Sequence, residues 1–195
     1  MFLLKRPTEK RIADFLRFTE TLPFSYTEAG MTAVQPPAGY RVDHNRVILG
    51  KGPETFERAA TLLKHWKHFD LGWVKLFPRD APVALGSTVA VLVNHLFLWS
   101  LNSCRIIYVI DETEGPNRRF GFAYGTTIQH AESGEERFTI EWNASDDTVC
   151  YDILAYSRPQ HWLARTGYPV TRWWQKRFSR DSLEAMQRHV GAEKG

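Results

Sequence analysis

FLWSLNSCRIIYVIDETEGPNRRFGFAYGTTIQHAESGEERFTIEWNASDDTVCYDILAYS, residues 97–157, decides the fold. Apolar and polar residues alternate through it with a period of two, the repeat of strands that bury one face. Three polar breaks divide it: an acidic turn over 112–117, Ser133-Gly134 and Asp146-Asp147. Connections this short join neighbouring strands as hairpins. The stretch therefore predicts four antiparallel strands, over 97–111, 119–128, 135–143 and 148–157.

Upstream, 73–77 and 86–95 repeat the pattern, and 40–49 alternates more loosely, which brings the expected strands to seven. Gly50-Lys51-Gly52-Pro53 stops the strand at 40–49 and opens a helix, with Pro53 in its first turn. The same glycine turn could present backbone amides to an anion, but it lacks the spacing and the Lys-Ser/Thr end of a P-loop. Phe56, Ala59, Ala60, Leu63 and Trp66 recur at three and four residues, a stripe that faces a core. Downstream, 169–190 reads as a helix of about 20 residues. Val170, Trp174, Phe178 and Met186 lie on its apolar stripe, and Gly191 stops it. A helical preface starts at Pro7-Thr8, with Thr8 as its cap and Ile12, Phe15, Leu16 and Thr19 on one face. We expect residues 1–38 to be a helix-and-loop extension and 39–191 to be one domain.

The 195 residues are 43% hydrophobic and 13% aromatic, which excludes a disordered chain. A formal net charge of +3 is too weak to argue for nucleic acid, and no nucleic-acid partner is expected. The two cysteines, Cys104 and Cys150, have neither CxxC nor zinc spacing and read as free thiols of a reducing cytosol. The start, MFLLKRPTEKR, is too short for a signal-peptide core, and no uncharged run approaches the ~18 residues of a membrane span. A cytoplasmic location is expected. His65 and His68 are three apart on a helix, but spacing places no third ligand, and Trp66 between them takes the inward face, which leaves the two histidines flanking it on the surface. No metal and no cofactor is predicted.

LGKGPETFERA, NSCRIIYVIDE, RRFGFAYGT, ESGEERF, YDILAYSRP and GYPVTRWWQKRF, in this order, resemble a family catalogued as domain of unknown function nineteen-ninety, found in bacteria and plants. The resemblance runs from about Tyr40 to Met186. Thr127 departs from it, where an apolar residue is expected. The family is similar to the START-like, birch-pollen-allergen-like (SRPBCC) superfamily. That likeness implies an α+β helix-grip fold: a curved antiparallel sheet around a long C-terminal helix, often over a hydrophobic cavity. It implies no established activity.

Strand alternation sorts the candidate site residues. Glu136, Phe138, Ile140 and Trp142 share one face of their strand, and Glu135, Arg137, Thr139 and Glu141 share the other. A carboxylate among large apolar groups must be paired, proton-shifted or near a strand end. Arg105 interrupts an apolar run, Tyr124 shares a face with Phe120 and Phe122, and Tyr151 shares one with Ile153. Either Arg105, Tyr124 and Glu136 orient a ligand in an apolar cavity, or they pair structurally within the sheet. The cavity reading predicts a lining of Phe120, Phe122, Tyr124, Phe138, Trp142, Tyr151, Trp174 and Phe178, with Arg105 and Glu136 as polar anchors. Its function would be non-enzymatic binding of a hydrophobic or amphipathic small molecule or lipid, by a monomer or weak homodimer. One alternative is a cyclase- or hydrolase-like enzyme using the same Glu/Arg/Tyr set. Another is a protein or membrane-surface module acting through the basic, Trp173-Trp174-bearing last helix.

Overall fold

All seven strands of the period-two pattern form in the computed structural model, which describes residues 1–96, 98–160 and 168–192. They are β2 (Arg41–Lys51), β3 (Val74–Phe77), β4 (Thr88–Asn94), β5 (Trp99–Glu112), β6 (Asn117–Thr126), β7 (Glu132–Asn143) and β8 (Thr148–Pro159). Phe97, the expected start of the long strand, lies outside the described residues. The sheet order is β2-β8-β7-β6-β5-β4-β3, antiparallel throughout. An eighth strand among the described residues, β1 (Phe2–Leu3), pairs with the start of β5. Two residues are too few to show a period, so no sequence pattern announces it.

One face of the sheet takes α2 (Pro53–Lys64) and α3 (Tyr168–Gly191). Phe56, Ala59, Ala60 and Leu63 of α2 are buried against Phe120, Phe122, Phe138 and Ile140 of β6 and β7. Each phenylalanine, leucine or isoleucine among them withdrawn from water contributes roughly 1.5–3 kcal/mol. The predicted glycine turn serves as a joint: the Gly52 N–H donates to the Asp147 carbonyl at 3.0 Å.

Beyond α2 the chain turns sharply at Trp66, whose φ is 57°, and makes a short 3-10 turn over Lys67–Phe69. Trp66 donates its indole N–H to the Ala81 carbonyl at 2.8 Å. His68, expected at the surface beside Trp66, is instead fully buried. Its ring stacks on Trp66 and lies 4.6 Å from that of Phe138. The left-handed turn breaks the helical spacing on which the surface assignment rested. Neither ring nitrogen of His68 has a partner among the described residues, and burial pushes its pKa down to about 3, so the ring is neutral. His65 is exposed, so the two histidines share no site.

The other face of the sheet is covered by the N-terminal segment. Ile12 and Phe15 of α1 (Glu9–Thr19), capped by Thr8, pack on Ala90, Leu92 and Leu101 of β4 and β5. The loop that follows lies over β7: Glu135 accepts from the backbone N–H groups of Gly30 and Thr32 at 2.6 and 3.0 Å. Arg105 belongs to this face. Its guanidinium donates to the carbonyls of Thr19, Glu20 and Leu22 at 3.0, 2.5 and 2.9 Å and to Thr88 Oγ1 at 3.2 Å. It thus satisfies the open carbonyl end of α1, where a cation is also favoured by the helix dipole. The expectation that Arg105 anchors a ligand is corrected: on β5 the neighbours Cys104 and Ile106 point into the core, which turns Arg105 outward.

Arg105→Leu is expected to destabilise the protein by about 2 kcal/mol, from the loss of charge-assisted bonds to α1. Urea titration measures this, and faster amide exchange confined to α1 would locate it.

Candidate functional site

Two steps along the strands carry the sheet's inner face from packed core to open space. On β6, Phe122 is fully buried and Tyr124 lines a cavity. On β7, opposite, Phe138 is fully buried and Glu136 lines the same cavity. The packed half is closed by rings: Trp66 and Phe122 are 4.8 Å apart, and Phe69 meets Phe178 of α3 at 5.2 Å. The other half, between the sheet and the first turns of α3, holds a cavity of about 520 Å³. Val170, on its wall, is largely exposed, so the cavity reaches the surface there.

Of the predicted lining, Tyr124, Glu136, Trp174 and Phe178 come together around this space. Phe120, Phe122, Phe138 and Tyr151 do not line it, because α2, the Lys67–Phe69 turn and the far half of α3 fill their end of the sheet. Tyr151 is fully buried with its hydroxyl 3.0 Å from Ser182 Oγ. Trp142 sits near the turn that joins β7 to β8, donating to Asp147 at 3.0 Å beneath the Arg118 guanidinium. Arg105 is on the opposite face.

The apolar wall that sequence reasoning missed comes from Phe69, Trp73, Val74, Val91 and Val93. These lie on the far strands and on the turn after α2, and alternation alone does not say which end of a buried strand stays uncovered.

Polar groups of the cavity bond to one another and at its rim. Tyr124 donates its hydroxyl to Glu136 Oε2 at 2.8 Å. Gln175 of α3 donates its amide to Glu132 Oε1 at 2.5 Å and to Ser157 Oγ at 2.8 Å. His95 lies 2.8 Å from Ser100 Oγ, with its ring 4.9 Å from that of Trp174. Asp43, at the rim, is held by both terminal nitrogens of Arg172 at 2.6 Å. Burial pushes the carboxyls of Glu132 and Glu136 up to about 7 each, partly opposed at Glu132 by Gln175 and Arg172 and at Glu136 by the Tyr124 hydroxyl. Burial pushes His95 down to about 4 and His130 down to about 3. Near neutral pH the cavity therefore holds uncharged imidazoles and two carboxyls poised to ionise.

No group of three or more metal-ligating side chains occurs among the described residues, and no described helix is long and apolar enough to cross a membrane. The basic side chains of α3 are largely occupied within the chain: Arg172 pairs with Asp43, and Arg177 and Arg180 pair with Asp181. The Arg177 guanidinium also lies over the rings of Trp73, Trp173 and Trp174, at 4.8 to 5.4 Å.

Residues 25–185 match the family described as Domain of unknown function (DUF1990). The chain belongs to this family. It is 36% identical to a UPF0548 protein of Dictyostelium discoideum, over 98% of this chain and 97% of that one. It is also 36% identical to the UPF0548 protein At2g17695 of Arabidopsis thaliana, over 79% and 75%, and 32% identical to a UPF0548 protein of Deinococcus radiodurans, over 98% and 100%. Among solved structures it resembles hypothetical protein jhp0584 from Helicobacter pylori, with TM-score 0.53 and 12% identity over 84% of this chain and 99% of that one. It also resembles Ara h 8.0201, with TM-score 0.50 and 12% identity over 79% and 99%. At such identities the likeness is one of fold, and the fold is the START-like helix grip that the sequence resemblance implied.

The raised carboxyls set a pH dependence. Between about 4.5 and 7 the folded protein keeps the proton on Glu136 that the unfolded chain has lost. The folded state then binds more protons than the unfolded state, so stability falls as pH rises through this window. Glu136→Gln keeps the shape and the bond from Tyr124 without the charge. It is expected to be more stable than the parent at about pH 8, by on the order of 1–3 kcal/mol, and equal to it near pH 4.5, as read by urea titration at each pH.

Proposed function

We propose that this protein binds a hydrophobic or amphipathic small molecule in the cavity between the sheet and the start of α3, without transforming it. The observation that carries the reading is the cavity itself. Its about 520 Å³ are walled by Trp73, Val91, Val93, Trp174 and Phe178, with a few polar groups converging on it. That volume and composition suit small-molecule sites, which run from ~300 to ~1,000 Å³. Interaction through the basic helix is less favoured, since Arg172, Arg177 and Arg180 are already paired. The buried free thiols Cys104 and Cys150 suit a cytoplasmic protein. A monomer or weak homodimer is sufficient, because the cavity is built from one chain.

One observation favours a second reading, acid–base catalysis. Glu136, pushed up to about 7 beside the Tyr124 hydroxyl, has a pKa suited to proton transfer near neutrality. A catalyst would lose turnover of its ligand in Glu136→Gln, and a carrier has none to lose.

Native mass spectrometry of freshly purified protein tests the main reading. A co-purifying species is expected on the parent and absent from Val93→Trp, which fills the cavity, while circular dichroism shows both folded. An adduct that persists in the filled variant would place the ligand elsewhere. A parent that carries no adduct and takes up no apolar compound would overturn the reading.

A further inference from the structure

Two carboxyls of the cavity each keep an acceptor oxygen to spare. Glu136 accepts from Tyr124 through Oε2 alone, and Glu132 accepts from Gln175 through Oε1 alone. Each therefore presents an oxygen with no donor among the described residues, and neither carboxyl forms an ion pair there. Both side chains are only partly accessible, and both line the cavity. Two of the lining donors are already engaged: the Gln175 amide by Glu132 and Ser157, and Thr126 Oγ1 by the Gly134 carbonyl at 3.2 Å.

Among the described residues, no lysine and no arginine lines the cavity, and its histidines, His95 and His130, are kept neutral by burial. Among the described residues, Asp43 is the lining carboxylate paired with a cation, Arg172, with both terminal nitrogens engaged. Glu135, whose side chain is held on the other face by Gly30 and Thr32, does not enter this balance. Aromatic faces complete the environment, with Trp73, Tyr124, Trp174 and Phe178 on the wall. Such faces attract cations and tolerate apolar bodies. An anionic ligand such as a fatty acid would bring a like charge up to Glu132 and Glu136, and the cation that bears on Glu132, Arg172, is already held by Asp43; like charges at close quarters are costly to bury.

We propose that the ligand is an apolar amine, whose protonated nitrogen donates to the free oxygen of Glu136 in the combined field of Glu136 and Glu132. This rests on the cavity-binding reading above and narrows it to a charge class. The ammonium supplies donors and a counter-charge to the spare oxygens of the two carboxyls, and its apolar body meets Val91, Val93 and Trp174.

Three probes of one shape separate the possibilities: 2-(1-naphthyl)ethylamine, 2-(1-naphthyl)ethanol and 1-naphthylacetate. They are titrated calorimetrically into the full chain at about pH 8, above the about 7 to which burial pushes both carboxyls. The amine is expected to bind at least about tenfold more tightly than the alcohol, with the acetate weakest. Glu136→Gln is expected to weaken the amine about tenfold and leave the alcohol unchanged, and Glu132→Gln serves if the first variant fails to fold. If the alcohol or the acetate matches the amine in the parent, the charge inference fails and the cavity-binding reading stands. If none of the three binds, both fail.

Discussion

The contact of His68 and Phe69 with Phe138 divides the interior of the sheet in two. It is made by a turn that leaves α2 through a left-handed residue, Trp66, and drives aromatic rings onto the centre of β7. On one side of this wedge, α2 and the far half of α3 fill the space completely. On the other side α3 rests on Phe69 through Phe178, and its first turns stand off from the sheet. Close packing makes this division sharp, because a ring that fills one layer leaves the next layer to whatever else can reach it. Nothing from α2 reaches past Phe122 and Phe138, so Tyr124 and Glu136 face open space.

The sheet manages its charges by face. Arg105 and Glu135 sit one residue away from inward-facing groups and point to the side covered by the N-terminal segment. There each is matched to backbone: the guanidinium to the carbonyl end of α1, and the carboxylate to the amides of Gly30 and Thr32. Such pairing meets the cost of removing a charge from water with hydrogen bonds of good geometry. On the inner face, Glu132 and Glu136 find no such backbone donors among the described residues. Glu132 and Glu136 therefore take single bonds from Gln175 and Tyr124 and are pushed toward the neutral form. The same residue type is structural on one face and available on the other.

Much of the fold was legible because periodicity is a local property. The two-residue repeat of 97–157 and the Phe56-to-Leu63 stripe each state which residues face inward. The motif order then connects them to one family. The alternation of β7 was legible down to single residues, so Glu136 was assigned to the inner face and Glu135 to the outer. Arg105 was misassigned because its strand is apolar on both sides of it. β5 is buried by the core on one face and by α1 on the other, and a strand covered twice loses the alternation that would mark the direction of its one charge. His68 was misassigned because a helical spacing was carried through a residue where the helix had already ended.

By itself the sequence determined the seven longer strands, the hairpin order of β3 to β8, the long closing helix and the family, since each rests on a repeat or a motif within a short window. Which half of the inner face is packed and which is open was decided only in the tertiary structure. That outcome depends on how far the rings at Trp66, His68 and Phe69 reach toward strands more than fifty residues away in the chain. A cavity is the space that side chains leave, and no single segment carries a pattern for it.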